Sequence, residues 1–384
     1  MRTSDPGSAL LAITSSALLL PPYSASRADA PPATAELGLN YSKYREDDIN
    51  SADTFGRDSE RMEVDIAQLH MFTPVGDDWS IALDVSWEDM SGASPWFVGQ
   101  SINGEPKVIM SGPSIKDTRT EVSVTTRYYY DHGNAGLNYT RSREDDYDSD
   151  ALAVDASLNS ADGLTTYHAA ISTSDDTIEP TEGATPVSTL KDEKDSHSAW
   201  VGITRIVSRR AVIRFGLSYT YRDGFLSDPY KANDQRPDTR EEWIVESGYR
   251  HFSIGMNAAI QIDYRFFDDD WGVNSHTVDL AWHQNIGRQL QMIPFLRYYT
   301  QSEADFFTNV VDVREQYFAD DYRLSAFGAI STGLRLRYDL ADWSVNLAGE
   351  RYRTDHGWGL FSGDESPALV DAWRVSFGLD YRFN

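Results

Sequence analysis

The feature that most constrains this chain is an alternation of apolar and polar side chains, repeated in segments of roughly ten residues. Trp79, Ile81, Leu83, Val85 and Trp87 hold odd positions, with Ser80, Ala82, Asp84, Ser86 and Glu88 between them. Ala211, Ile213, Phe215, Leu217, Tyr219 and Tyr221 repeat the pattern around Arg214, Gly216, Ser218, Thr220 and Arg222. A third example runs Ile254, Met256, Ala258, Ile260, Ile262, Tyr264, Phe266, around Gly255, Asn257, Ala259, Gln261, Asp263 and Arg265. Successive side chains on a strand point to opposite faces, so each segment predicts one apolar and one polar wall.

A soluble β-sandwich alternates too, and two features separate it from a membrane barrel. The first is the connections, which alternate in length. Val75–Asp78, His132–Asn134, Ser208–Arg209, His251–Ser253, Gly287–Gln289 and Ala341–Asp342 are short, whereas Ser91–Asp117, Thr177–Asp195, Gly224–Asp238, Phe306–Asp321 and His356–Val370 are long and acidic. The second is the last segment, where Trp373, Val375, Phe377, Leu379, Tyr381 and Phe383 form an unbroken apolar face. It is similar to the aromatic-ended strand that outer-membrane assembly machinery recognises, with Asn384 as an extra residue.

Strands are expected to begin near Ala35, Met62, Trp79, Glu121, Ala135, Ala151, Leu164, Ser198, Ala211, Trp243, Ile254, Thr277, Leu290, Ala329, Trp343 and Trp373. The fold expected is an all-β, antiparallel, up-and-down transmembrane barrel of about sixteen strands, with fourteen and eighteen as alternatives. Short turns would be periplasmic and long acidic loops extracellular. The second strand is irregular where alternation slips between Ile66 and Leu69, and Pro294 predicts a bulge or an edge-like irregularity in the strand from Leu290.

Composition narrows the class. Only 40% of residues are apolar, and no apolar run reaches the roughly 18 residues of a transmembrane helix. The 21 Tyr and 10 Trp suit strands and membrane–water boundaries. With no cysteine, disulfides, thiolate catalysis and Cys-based metal or haem sites fall away. A formal charge of −26 argues against nucleic acid as a partner. The first 30 residues read as a cleaved export signal: Arg2, a short apolar segment Ala9–Leu20, then Pro21 and Pro22. That leaves residues 31–384 as barrel and places the protein in a Gram-negative outer membrane, with its lipid as a partner.

The expected inward positions are small or charged. The charged candidates for the lumen are Asp84, Glu121, Arg127, Arg214, Arg222, Asp263, Arg265, Arg335, Arg337, Glu350, Arg374 and Asp380. Opposed across a water-filled lumen they would orient polar solutes; paired with one another they would only stiffen the wall. In the long Ser91–Asp117 connection, Ser94, Pro95, Trp96 and Phe97 are candidates for a constriction over the mouth.

Chemistry of other kinds is thin. No His spacing suits zinc, and the odd separation of His276 and His283 puts them on opposite walls. The acidic runs Glu46–Asp48 and Asp268–Asp270 lack calcium-loop spacing and suit solvated loops better. No catalytic residue, metal or cofactor is expected, and no enzymatic activity.

Several blocks together resemble a bacterial family catalogued as domain of unknown function 3570. They are Ser91-Gly92-Ala93-Ser94-Pro95, Leu226-Ser227-Asp228-Pro229-Tyr230-Lys231 with Arg236-Pro237, and Leu296-Arg297-Tyr298-Tyr299-Thr300-Gln301-Ser302. Arg323-Leu324-Ser325-Ala326-Phe327-Gly328-Ala329 and Glu350-Arg351-Tyr352 complete the set. The resemblance implies an exported barrel, accompanied by a small lipoprotein and periplasmic redox or flavin-transfer proteins. The functions expected, in order, are porin-like passage of small polar solutes or ions, and a non-conducting scaffold around a lipoprotein or redox partner.

Overall fold

The computed structural model describes residues 30–55, 60–111, 115–180, 191–312 and 314–383. The expected export signal therefore lies almost wholly outside the described residues.

Sixteen antiparallel strands close into one barrel. In chain order they are β1 (Ala35–Glu46), β2 (Glu63–Val75), β3 (Trp79–Gly92), β4 (Ile115–Tyr130), β5 (Gly133–Arg143), β6 (Tyr147–Asn159), β7 (Thr165–Ile178) and β8 (Asp192–Ser208). The circuit continues with β9 (Ala211–Gly224), β10 (Thr239–Ser253), β11 (Ala258–Asp269), β12 (Asn274–Ile286), β13 (Leu290–Gln301), β14 (Phe327–Leu340), β15 (Trp343–Asp355) and β16 (Ala372–Phe383). Each strand pairs with its sequence neighbours, and β1 closes the ring on β16 from Ala35↔Phe383 to Glu46↔Ala372. Sixteen strands at ordinary spacing and tilt make a cylinder about 30 Å across between backbones.

The register turns the alternation into two walls. Leu39, Trp79, Val124, Val154, Phe215, Leu296, Leu347 and Phe377 all point outward and are exposed. Aromatic rings bound this apolar surface on both sides. Trp79 packs on Tyr128 and Trp343 on Tyr381 toward the short turns, with ring centroids 4.9 and 4.5 Å apart. Toward the long loops Tyr219 packs on Trp243, centroids 4.7 Å apart. The eight residue steps from Trp79 to Trp87 rise about 20 Å along the barrel axis, close to the height of a membrane barrel's apolar belt. Beyond the upper ring the outward positions turn charged, with Lys43 3.3 Å and Arg45 3.1 Å from Glu63, and Arg141 3.1 Å from Asp150.

A sandwich would bury its apolar side chains between two sheets. Here the three buried apolar clusters among the described residues lie at the long-loop end. Met62, Val64, Ile66 and Met90 form one. Trp271, Val273, Ala304, Phe307, Ala319 and Leu324 form the second, and Ile49, Val108 and Ala368 the third. Val64 and Ile66 face inward, which explains the slip in alternation on β2: its upper end packs beneath the loops and has no need of a polar inner face.

Three expectations are corrected. The strands expected from Glu121, Ser198 and Trp243 begin at Ile115, Asp192 and Thr239. They rise beyond the apolar belt, where outward residues such as Asp195 and Glu193 no longer mark a membrane face. Ile254 and Met256 lie in the turn between β10 and β11, 62% and 61% exposed, so the strand expected from Ile254 starts at Ala258. Of the two expectations for Pro294, the irregularity is seen and the bulge is not: pairing toward β12 is interrupted between Ala281↔Phe295 and Gln284↔Met292, and the register resumes unshifted. A missing N–H costs one ladder bond; it need not insert a residue.

Candidate functional site

The inner wall carries every charged residue named above as a lumen candidate, because each pairs in register with inward neighbours. Their charges are met from the same strand or from strands one or two places along the wall. Arg127 forks onto Asp155 at 2.7 and 2.9 Å. Arg222 reaches Glu242 at 3.2 Å, Arg214 lies 3.8 Å from Asp263, and Arg374 3.7 Å from Glu350. Arg337 donates to Asp339 at 3.0 Å, Asp84 meets His70 at 2.6 Å, and Asp380 accepts from Asn346 at 2.8 Å. Glu121 pairs with Arg119. Arg335 lies over the Phe295 ring, 4.5 Å from its centroid, and Arg265 sits opposite Glu246 in register. The pairs run along the wall, so local neutralisation outweighs a field across the lumen.

A folded cap lies at the long-loop end of this lumen. The β3–β4 connection contains a small hairpin, Pro95–Gln100 with Pro106–Met110. Ser94 and Ser111 hold its base: the Ser111 amide donates to the Ser94 carbonyl at 2.9 Å. Trp96 and Phe97 stack edge to face, centroids 4.9 Å apart. The hairpin is gripped from loops on the far side of the ring. Lys231, in the β9–β10 loop, donates to the Pro95 carbonyl at 2.9 Å, and the Ala232 amide to the Trp96 carbonyl at 3.3 Å. The Val98 amide donates to Asp320 of the β13–β14 loop at 2.7 Å. No path along the wall joins these loops, so the bonds cross the mouth.

Around Asp320 lies a cluster of buried charge that no local sequence pattern announced. Asp321 accepts from Arg236 at 2.8 Å and from Arg323, and its side chain is 0% exposed. Arg236 also holds Asp234 at 2.7 Å, and Arg323 holds Asp228 at 3.0 Å. A two-residue ladder, Asp234–Gln235 with Phe318–Ala319, fastens the same two loops by backbone. Arg61 donates to Glu46 at 2.9 Å and to the Ala368 and Leu369 carbonyls at 3.1 Å, tying the β1–β2 loop to the β15–β16 loop.

Electrostatics sort the two neighbouring aspartates. Burial pushes the Asp320 carboxyl up to about 6, against the Val98 amide, Lys231 and Asn233, which favour its anion. Burial presses Asp321 the same way, but Arg323, Lys231 and Arg236 prevail and hold it far below the ordinary carboxylate range. Desolvation of Arg236 is likewise overcome by Asp234 and Asp321, which keep it firmly charged.

The family-like blocks meet here. Ser91–Pro95 supplies the carbonyl that Lys231 holds, Leu226–Lys231 the Asp228 that Arg323 holds, and Gln301 donates to the carbonyls of Arg323 and Ser325 at 3.0 and 2.6 Å. Ser94–Phe97, the residues expected over the mouth, lie in this cap; the loops that hold them, through Lys231 and Asp320, were not expected to join them. The available signal was the presence of both charge signs within loops, as in Asp320-Asp321-Tyr322-Arg323.

One carboxylate trio lies at the same end: Asp117, Glu144 and Asp146, whose ligand atoms fall within 4.8 Å of one another. The Thr118 amide donates to Asp117 at 2.7 Å, Arg119 lies 3.7 Å from Glu144, and Tyr230 donates to Asp146. The acidic runs considered for calcium are likewise engaged, Glu46 by Arg61, Asp47 by Arg351 and Asp269 by Arg240.

Among solved structures the fold is that of outer-membrane barrels. CdiB from Acinetobacter baumannii superposes with a TM-score of 0.52 at 11% identity, over 91% of this chain and 60% of that one. The siderophore receptor PirA from Pseudomonas aeruginosa gives 0.44 at 8% identity, over 84% and 56%, and OccK1 (OpdK) from the same organism 0.40 at 9%, over 91% and 98%. The chain thus spans little more than half the length of PirA and CdiB. No curated protein matches it in sequence. The family model described as "Protein of unknown function (DUF3570)" matches residues 10–366, and the chain belongs to that family.

Proposed function

We propose that the protein is a porin-like barrel of the Gram-negative outer membrane, passing small polar solutes or ions through a lumen narrowed by its cap. Its short turns face the periplasm and its long acidic loops the cell surface, as in bacterial barrels generally. The supporting observation is a wide inner wall of small and locally paired charged side chains, crossed at one end by the Pro95–Met110 hairpin. Such a wall is polar with its charges locally paired, and the constriction sits in the loops.

Single-channel conductance of the refolded barrel in planar bilayers tests this. The intact chain should conduct weakly, and replacing the hairpin by a short Gly-Ser turn should raise conductance severalfold. Equal conductance with and without the hairpin would remove the cap from the pathway.

A second reading, a non-conducting scaffold, is favoured by the density of buried ion pairs in the cap, which makes it a fixed lid. Under it the protein would conduct in neither form and would co-purify with a stoichiometric lipoprotein or periplasmic redox protein.

A further inference from the structure

We propose that residues 356–363, in the β15–β16 loop, form a lipid anchor on the outside of the barrel, seated at the headgroup boundary of the outer leaflet; this rests on the membrane reading above. The segment leaves β15, makes one 3-10 turn at His356–Trp358 and lies against the outer wall of β12–β14. Its receptors point outward by register. Tyr298 donates its hydroxyl to the Trp358 carbonyl at 2.6 Å, and the Leu360 amide donates to Thr300 Oγ1 at 2.9 Å. Thr300 is outward-facing yet 0% exposed, because this strap covers it.

Close approach is built in at Gly328, where any Cβ would stand 2.3 Å from the Trp358 carbonyl carbon and 2.4 Å from its oxygen. The strap also joins the upper aromatic ring. Phe361 stacks on His276 with centroids 5.7 Å apart and planes 2° from parallel, and His276 in turn packs on Phe266 at 5.2 Å.

What the strap leaves uncovered is apolar: Leu360 is 70% exposed and Trp358 also faces out. Trp and Phe at this height are the side chains that settle where acyl chain meets headgroup. Continuity with the belt below identifies the occupant as lipid. Beside the strap, Arg353 points outward and is exposed, its charge shared with the Asp47 carboxyl that it helps hold down. Asp355, two residues along the same strand, is engaged by the Gly357 amide at 2.7 Å.

The chain has no cysteine, so single-site labelling needs only one substitution. Leu360→Cys, Leu347→Cys on the belt and Val310→Cys on the cap would each carry a bimane label in the full barrel reconstituted in phosphatidylethanolamine–phosphatidylglycerol vesicles. The proposal expects label 360 to emit to the blue of label 310, to be quenched by lipids brominated near the headgroup, and to resist aqueous iodide. Quenching of 347 but not 360 by brominated lipid, with 360 open to iodide, overturns the anchor alone. Shielding of 360 from both quenchers means protein covers it, and also overturns the anchor. Lipid-insensitive emission from 347 overturns the membrane reading and the anchor with it.

Discussion

Asp321→Asn should open the cap while leaving the wall intact. The side chain is fully buried and serves two guanidinium groups, and it also accepts from the Arg323 amide at 3.0 Å to start the turn Tyr322–Leu324. Asparagine keeps the volume and an oxygen for that amide, so the change removes charge and little else. Breaking a buried pair from one side costs about 3–5 kcal/mol because the partner charge stays behind. Here Arg236 retains Asp234 and Arg323 retains Asp228, so the lower figure, about 3 kcal/mol, applies. At ~1.4 kcal/mol per tenfold, the open-cap population should rise about a hundredfold. Hydrogen exchange read by mass spectrometry would show it in peptides spanning 225–238 and 318–326, with β6 and β7 as internal controls. Cap exchange within about threefold of the parent would refute the reasoning, since the network would then contribute nothing net. Equal loss of protection in β6 and β7 would refute it differently, because the cap would not be a separable unit.

Asp320 makes the cap pH-sensitive in a defined direction. Its folded value of about 6 lies above the ordinary 3.8, so the folded cap takes up a proton first and gains stability as pH falls from about 6 to 4; above pH 6 the ionised group costs ~3 kcal/mol. Cap exchange, corrected for intrinsic rates, should slow from pH 7.5 to 5, and Asp320→Asn should flatten that dependence. On the outer wall Asp150, Asp175, Asp195 and Asp223 sit side by side on four adjacent strands, with only Asp150 matched to an arginine. Asp195→Asn should raise the unfolding free energy read from urea titration by about 0.5 kcal/mol at low salt and by less at high salt; a loss of stability would mean the row is bridged by cations. Ala341 occupies a left-handed conformation (φ 49°) in the β14–β15 turn, so Ala341→Gly should stabilise by about 1 kcal/mol in the same titration.

How much was legible in the sequence depended on whether a wall needed to look different on its two sides. Between the aromatic rings each strand turns an apolar face outward and a polar face inward, so Trp79–Trp87 announces itself. Above the rings both faces are polar, and the first turns of β4, β8 and β10 vanish from the pattern. Where the cap covers the lumen the rule inverts: Val64 and Ile66 turn inward. The charged lumen residues were legible by parity alone, but their pairing needed the register. A constriction at Ser94–Phe97 was expected, but what grips that hairpin was out of reach, since Lys231 and Pro95, or Arg323 and Asp228, are brought together only by closure of the ring.

The course of the β15–β16 loop carries a consequence for the order in which the molecule is completed. After crossing the outside of the wall it passes back over the rim, where Asn309 donates to the Glu365 carbonyl and Arg61 to those of Ala368 and Leu369, and only then enters β16. β16 is the strand that joins β1. The final seam and the lid are therefore parts of one event: until the last strand docks, the segment that pins the β1–β2 and β13–β14 loops has no fixed end. A half-assembled barrel would be open along its side and at its top together.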